Sequence, residues 1–91
     1  VIMDLDLIRS RVNLDNLRQA PPVVTKYLPF LPLKNYSEFV SMKEGATPLI
    51  KSKKLGAELN IDLYFKLESH NPTGSFKDRG SAVELTIARE M

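Results

Sequence analysis

Apolar residues fall into patterned stretches separated by proline-, glycine- and asparagine-marked breaks. From Asp4, Leu5, Ile8 and Val12 keep helical spacing, and Leu14 with Leu17 predicts a second short helix capped by Asn13 and running to Ala20. Arg9, Arg11 and Arg18 fall mostly off that apolar face. Pro21-Pro22 ends the helical pattern and predicts an extended run. Beyond it, Val23 to Leu33 is apolar, aromatic and punctuated by Pro29 and Pro32. Those two prolines have the spacing of a ligand for SH3-like domains. The interleaved Phe30, Leu31 and Leu33 better suit an irregular segment lying across a hydrophobic surface. Tyr36 to Val40 predicts a helical turn, and Thr47-Pro48-Leu49-Ile50 a turn entering a short strand. Ser52 to Leu59 reads as a short helix with Leu55 and Leu59 inward, closed by Asn60. Lys51, Lys53 and Lys54 read as its solvated face, with a phosphate contact as the alternative.

The clearest strand is Asp62 to Glu68, where Ile61, Leu63, Phe65 and Leu67 alternate with Asp62, Tyr64, Lys66 and Glu68. After it comes Glu68-Ser-His-Asn-Pro-Thr-Gly-Ser-Phe-Lys-Asp-Arg-Gly80, which reads as a strand end, a turn-rich loop and the first turn of a helix. Asn71-Pro72 starts the turn, and Gly74 permits backbone angles that a Cβ resists. Ser75 is placed to cap the helix with Asp78 as its capping-box partner, and Phe76 opens an apolar face continued by Gly80, Val83 and Ile87. Gly80 is expected to allow close packing of that helix. Strand, loop and helix together form half of a βαβ unit, whose ligands gather at the carboxyl ends of strands.

This places Lys77 in a first helical turn, where the dipole disfavours an ammonium by up to about 1 kcal/mol. Arg79 and Lys66, if close, act in the same direction. Such a lysine suits attack on an aldehyde; equally, it suits a surface lysine beside Asp78. Local physics makes Lys77 a candidate and leaves both readings open. Glu68 is placed either to orient Lys77 or to pair with Lys66 or Arg79, and Thr47 either ties down its turn or touches a ligand. The loop is no P-loop, because Gly74 is its one glycine before Lys77 and Asp78 occupies the Ser/Thr slot. His70, the sole histidine, has no second ligand at metal spacing.

Asn71 to Gly80 resembles the pyridoxal-phosphate lysine motif of the fold-type-II enzymes. Within that family, Pro-Thr-Gly-Ser-Phe-Lys-Asp-Arg-Gly is most similar to the threonine synthase branch. The resemblance continues through Glu44-Gly45-Ala46-Thr47-Pro48-Leu49 and Leu63-Tyr64-Phe65-Lys66-Leu67-Glu68, covering about residues 44 to 90 in order and at family spacing. Ser81 departs from the small aliphatic residue or Met usual after that glycine. The resemblance implies an α/β fold, the three-layer αβα arrangement similar to the tryptophan synthase β chain and incomplete here. Residues 1–43 would be a helical and extended segment packing on the catalytic domain, and 44–91 the start of the pyridoxal-phosphate-binding core. Lys77 would be catalytic and bind the cofactor as an imine, with Phe76 beside it as a cofactor-binding residue and Asp78 shaping the site. The implied reaction converts O-phosphohomoserine and water to threonine and phosphate, in a cytoplasmic enzyme that is a homodimer at full length.

Composition narrows the alternatives. With 91 residues, 43% hydrophobic and 26% charged, the chain reads as a folded, soluble piece smaller than a common domain. It starts at Val1 and stops at Met91 within a helical pattern, so an N-terminal fragment is expected, inactive alone because the groups for the cofactor phosphate and ring nitrogen would lie downstream. A net charge of +2 argues against a nucleic-acid partner, and no uncharged run approaches a bilayer's thickness. The absence of cysteine excludes disulfides and thiolate zinc sites. Remaining rivals are a serine/threonine dehydratase or cysteate synthase-like enzyme of the same family, and a non-catalytic interaction module that kept the motif.

Overall fold

Two short helices open the described chain, residues 3–91 of a computed structural model. Residues 1 and 2 of the expected N-terminal segment lie outside it. Helix α1 (Leu5–Arg11) begins at Asp4, whose carboxylate accepts from the N–H groups of Asp6 and Leu7. Helix α2 (Leu14–Gln19) begins at Asn13 as expected, its side-chain oxygen accepting from Asp15 and Asn16. Such a cap is worth about 1 kcal/mol because it occupies donors the helix itself leaves free.

Pro21-Pro22 ends α2, but the extended backbone gives way after Val23 and returns at Leu31. Val24–Phe30 is a 3-10 helix with Pro29 inside it. A proline ring fixes φ near the 3-10 value, so Pro29 forfeits one N–H without bending the chain. The polyproline conformation that an SH3-like ligand needs is therefore absent from 24–30. A second 3-10 turn, Tyr36–Glu38, starts at Asn35, whose side chain accepts from the Ser37 N–H.

Strands β1 (Leu49–Lys51) and β2 (Tyr64–Lys66) pair antiparallel, Leu49 opposite Lys66 and Lys51 opposite Tyr64, with helix α3 (Lys53–Leu59) between them. Bonds from Ser52 N to Leu63 O and from Leu67 N to Pro48 O, both 2.9 Å, extend the ladder. Asn60 closes α3 as expected, and does so in the left-handed conformation. Two expectations fail here, for the strand and for the helix before it. The strand is shorter than Asp62–Glu68, and its alternation does not bury one face: Ile61 and Phe65 are exposed, as are Leu49, Ile50 and Tyr64. Leu55 and Leu59 are exposed too, and α3 buries Gly56 instead, against the Ile61 carbonyl. The two strands are antiparallel neighbours, and β2 leads through a loop into a helix, as the strand–loop–helix reading expects. The apolar period is present; among the described residues no further layer covers it. The observed architecture is a mixed α/β assembly with one two-stranded sheet, the coarser part of the expected fold.

Helix α4 (Asp78–Glu90) buries Asp78, Ala82 and Thr86. The expected face of Phe76, Gly80, Val83 and Ile87 is displaced: Val83 and Ile87 are half-buried, Phe76 is exposed, and nothing lies within 4 Å of a Cβ placed on Gly80. The cause is the segment that α4 meets, which presents main-chain donors. Thr86 Oγ1 accepts from Val40 N at 2.9 Å and donates to Ala82 O at 2.7 Å. The Glu90 carboxylate accepts from the N–H groups of Lys34 and Asn35, which hold its pKa below the usual value, and Arg89 pairs with Glu38 at 3.0 Å. These contacts strap residues 34–40 along α4. Apolar burial is thin, with Val24 and Ala82 the buried hydrophobic residues among those described. The radius of gyration, 16.3 Å, exceeds the roughly 13 Å of a compact 100-residue domain. Polar contacts therefore carry much of the specificity, and Thr86→Val is expected to lower unfolding stability by about 1–3 kcal/mol by orphaning Val40 N–H. Thr86→Ser should cost less; urea unfolding of both variants checks this.

Candidate active site

The loop before β1 is strained and pinned. Lys43, Gly45 and Ala46 all have positive φ, at 64°, 102° and 51°. Left-handed backbone costs a residue with a Cβ about 1–2 kcal/mol, so this loop persists only because its surroundings hold it. Glu44, 1% exposed, accepts from Ser41 Oγ and from Met42 N. Its main chain binds the N-terminal segment: Val24 N donates to Glu44 O at 2.9 Å, and Ala46 N to Pro22 O at 2.7 Å. A Cβ on Gly45 would lie 3.1 Å from Val23 Cα, 3.2 Å from an Arg79 guanidinium nitrogen and 3.3 Å from Pro22 O. Glycine is required there by both φ and space.

Glu68 is the hub beside that loop. Its carboxylate accepts from Arg79 Nε and a second guanidinium nitrogen, each at 2.9 Å, from Thr47 Oγ1 at 2.6 Å and from Asn71 Nδ2 at 3.0 Å. The Arg79 bonds, then those from Thr47, lower its pKa from 4.5 to about 2, while the same pair raises that of Arg79. Of the two partners open to Glu68, the structure selects Arg79. Lys66 Nζ instead donates to the Thr47 carbonyl. Thr47 thus ties its turn to the strand end. Asn71, 4% exposed, also accepts from Gly45 N at 2.9 Å, so three sequence blocks meet at one carboxylate.

The loop from Asn71 runs through Gly74, whose φ of 81° meets the expectation for that position, with Gly74 N donating to Asn71 O at 2.8 Å. The capping expectation is corrected. Helix α4 begins at Asp78 with Lys77 at the cap position, and Ser75 Oγ accepts from Lys77 N at 3.2 Å rather than from Asp78. Asp78 turns back to Thr73 instead, accepting from its N–H at 2.8 Å and from its hydroxyl. The Asp78 and Arg79 N–H groups are taken by Ser75 O and Phe76 O in a 3-10 turn, so the helix start needs no acceptor from Lys77. Lys77 is exposed, and among the described residues its amine has no hydrogen-bond or ion-pair partner. It lines an open concavity of about 430 Å³ with Phe76, Arg79, Gly80, Ser81 and Glu84. Phe76 is 63% exposed at its edge.

The family model for pyridoxal-phosphate dependent enzymes matches residues 40–91. The chain belongs to that family. It is 46% identical to the threonine synthase of Methanocaldococcus jannaschii over 92 residues, covering all of this chain and 23% of that enzyme. It is 42% identical to the threonine synthase of Methanosarcina acetivorans, covering all of this chain and 22% of that enzyme. A Bacillus threonine synthase is 41% identical over 68 residues, 75% of this chain and 19% of that enzyme. The chain therefore spans about a fifth to a quarter of the length of these relatives. No solved structure matches it.

The residues present fit the family's cofactor: an aldehyde needs an accessible, unpaired amine, and Lys77 supplies one at the edge of a concavity with an aromatic ring beside it. The motif places Lys77 and Phe76 together, whereas the links from Thr73 to Asp78 and from Asn71 to Gly45 and Glu68 carry no signal in the sequence. The sign of the acid dependence follows from Glu68. Because the folded carboxylate holds its proton less tightly than an unfolded one, the pair's contribution is complete above pH 4.5 and declines towards pH 2. The gap in melting temperature between the unsubstituted protein and Glu68→Gln is expected to be widest above pH 4.5 and to narrow on acidification. Melting curves at half-unit pH steps check it.

Proposed function

We propose that this chain forms part of a threonine synthase that converts O-phosphohomoserine and water to threonine and phosphate. The observation that carries this reading is the unpaired Lys77 amine at the head of α4, within a stretch shared with relatives of that name. Bound pyridoxal phosphate would supply an aldehyde for the lysine and an electron sink for charge developing at the substrate's α carbon. Lys77 would hold the cofactor, then act as the base that takes the Cα proton and shuttles a proton away from Cβ as phosphate leaves from Cγ, before water adds at Cβ. Phe76 would line the cofactor site beside Lys77, and the Glu68–Arg79 pair would hold the backbone that presents both residues.

Residues 1–43 are read as a segment packing on the catalytic core that begins at 44. The strapping of 34–40 onto α4 and the bonds of Pro22 and Val24 to the 44–46 loop support that division. The core would be completed in the whole enzyme as a three-layer αβα domain, in a cytoplasmic homodimer. No helix among the described residues is long and apolar enough to cross a membrane.

The test is release of phosphate from O-phosphohomoserine by the whole enzyme, with threonine as co-product. Lys77→Ala is expected to lower kcat by about 10²–10⁴-fold and to abolish the borohydride-stable cofactor adduct on the Lys77 peptide. Release of ammonia and a 2-oxo acid from serine or threonine, without phosphate release from O-phosphohomoserine, would assign a dehydratase instead.

A further inference from the structure

Asp78 and Arg79 follow Lys77 directly and carry opposite charges to opposite anchors. Arg79 reaches out of the loop to Glu68 and Thr47. Asp78 reaches back within the loop to Thr73, five residues earlier, through both the main-chain N–H and the hydroxyl. That second contact is unusual in its setting. The Asp78 carboxylate is buried, 6% exposed, and among the described residues no cation pairs with it. A buried carboxylate kept without a cation is costly unless hydrogen bonds satisfy it, and here Thr73 provides them. Thr73 itself is exposed, and neither it nor Asp78 lines the concavity. The carboxylate is also not needed as a conventional cap, since the N–H groups of residues 77 to 79 are taken by Ser75 and Phe76. What the contact does is close a six-residue ring, Thr73 to Asp78, with Lys77 held between its ends.

We propose that Asp78, held by Thr73, is a positioning residue that fixes the direction in which Lys77 presents its amine to the concavity. This rests on the reading of Lys77 as the cofactor lysine. The Glu68–Arg79 pair fixes where the head of α4 sits; the Thr73–Asp78 staple fixes the path of the chain entering it. Thr73→Val removes the hydroxyl with little change in volume, and Thr73→Ser keeps it.

Two readouts on the whole enzyme decide the proposal. The first is amide exchange at Lys77, Asp78 and Arg79. The second is the rate at which pyridoxal phosphate and borohydride label Lys77, relative to Lys53 and Lys54 in the same digest. Thr73→Val should speed the three amides about tenfold and slow Lys77 labelling severalfold, with Lys53 and Lys54 unchanged, and Thr73→Ser should restore both. Unchanged exchange in Thr73→Val overturns the staple. Faster exchange with unchanged Lys77 labelling overturns the positioning role and leaves a purely structural contact. If Lys77 shows no preference over Lys53 and Lys54 in the unsubstituted enzyme, the cofactor-lysine reading falls and the positioning role falls with it. That failure is distinct because it appears without any substitution.

Discussion

The Glu68 carboxylate is the point on which this structure turns. Four donors from three separated segments converge on it: Thr47 from the strained loop, Asn71 from the turn after β2, and two nitrogens of Arg79 from α4. Glu68 and Arg79 remain about a third accessible, so the pair is not a sealed ion pair of the kind whose desolvation outweighs its attraction. Its geometry is the favourable one, a guanidinium offering two nitrogens to one carboxylate, with Thr47 and Asn71 taking the remaining acceptor capacity. In a chain that buries so little apolar surface, such a junction does work that a hydrophobic core does elsewhere: it fixes the relative placement of elements that barely touch through side-chain packing.

Strain in the 43–46 loop makes sense beside that hub. Positive φ at Lys43 and Ala46 would relax in isolation, yet the loop is tied on one side to the N-terminal segment and on the other to Asn71. Gly45 sits where those ties cross, with Pro22, Val23 and Arg79 all close to where a side chain would emerge. The N-terminal segment is thereby coupled to the head of α4 through a short series of hydrogen bonds, from Pro22 and Val24 to residues 44–46, to Asn71, and on to Glu68. At its other end the same segment is bound to α4 by Thr86 and Glu90.

The sequence made the local features legible where the cause was local. Asn13 as a cap, Asn60 closing α3, positive φ at Gly74 and the short strand after Pro48 each follow from residue chemistry acting within a few positions. Lys77 and Phe76 beside the helix start were legible through the motif. What was not legible had partners distant in sequence. Leu55, Leu59, Ile61 and Phe65 have the period of buried residues, but burial is a property of the surface they meet, and no layer among residues 3–91 meets them. The buried face of α4 was misplaced because periodicity favours apolar residues, whereas main-chain donors from 34–40 called for Thr86 and Glu90. The capping box failed for a related reason: Ser75 and Asp78 have the right spacing, but a 3-10 turn had already satisfied the N–H groups that the box would serve.

The same accounting explains why Lys77 stands apart from its neighbours. Three cations lie in or beside the motif, and two are committed: Lys66 to the Thr47 carbonyl, Arg79 to Glu68. The like charges expected to crowd Lys77 are thus each engaged with an oxygen elsewhere. The two acidic side chains within the motif stretch are committed as well, Glu68 to Arg79 and Asp78 to Thr73. A lysine beside an aspartate would ordinarily form a local ion pair, and the Thr73 contact removes that option by occupying the carboxylate. An amine left without a partner on a surface would be unremarkable by itself. Here the acidic groups of the motif that could bind it are held by other residues, which keeps the amine accessible at the edge of the concavity it shares with Glu84.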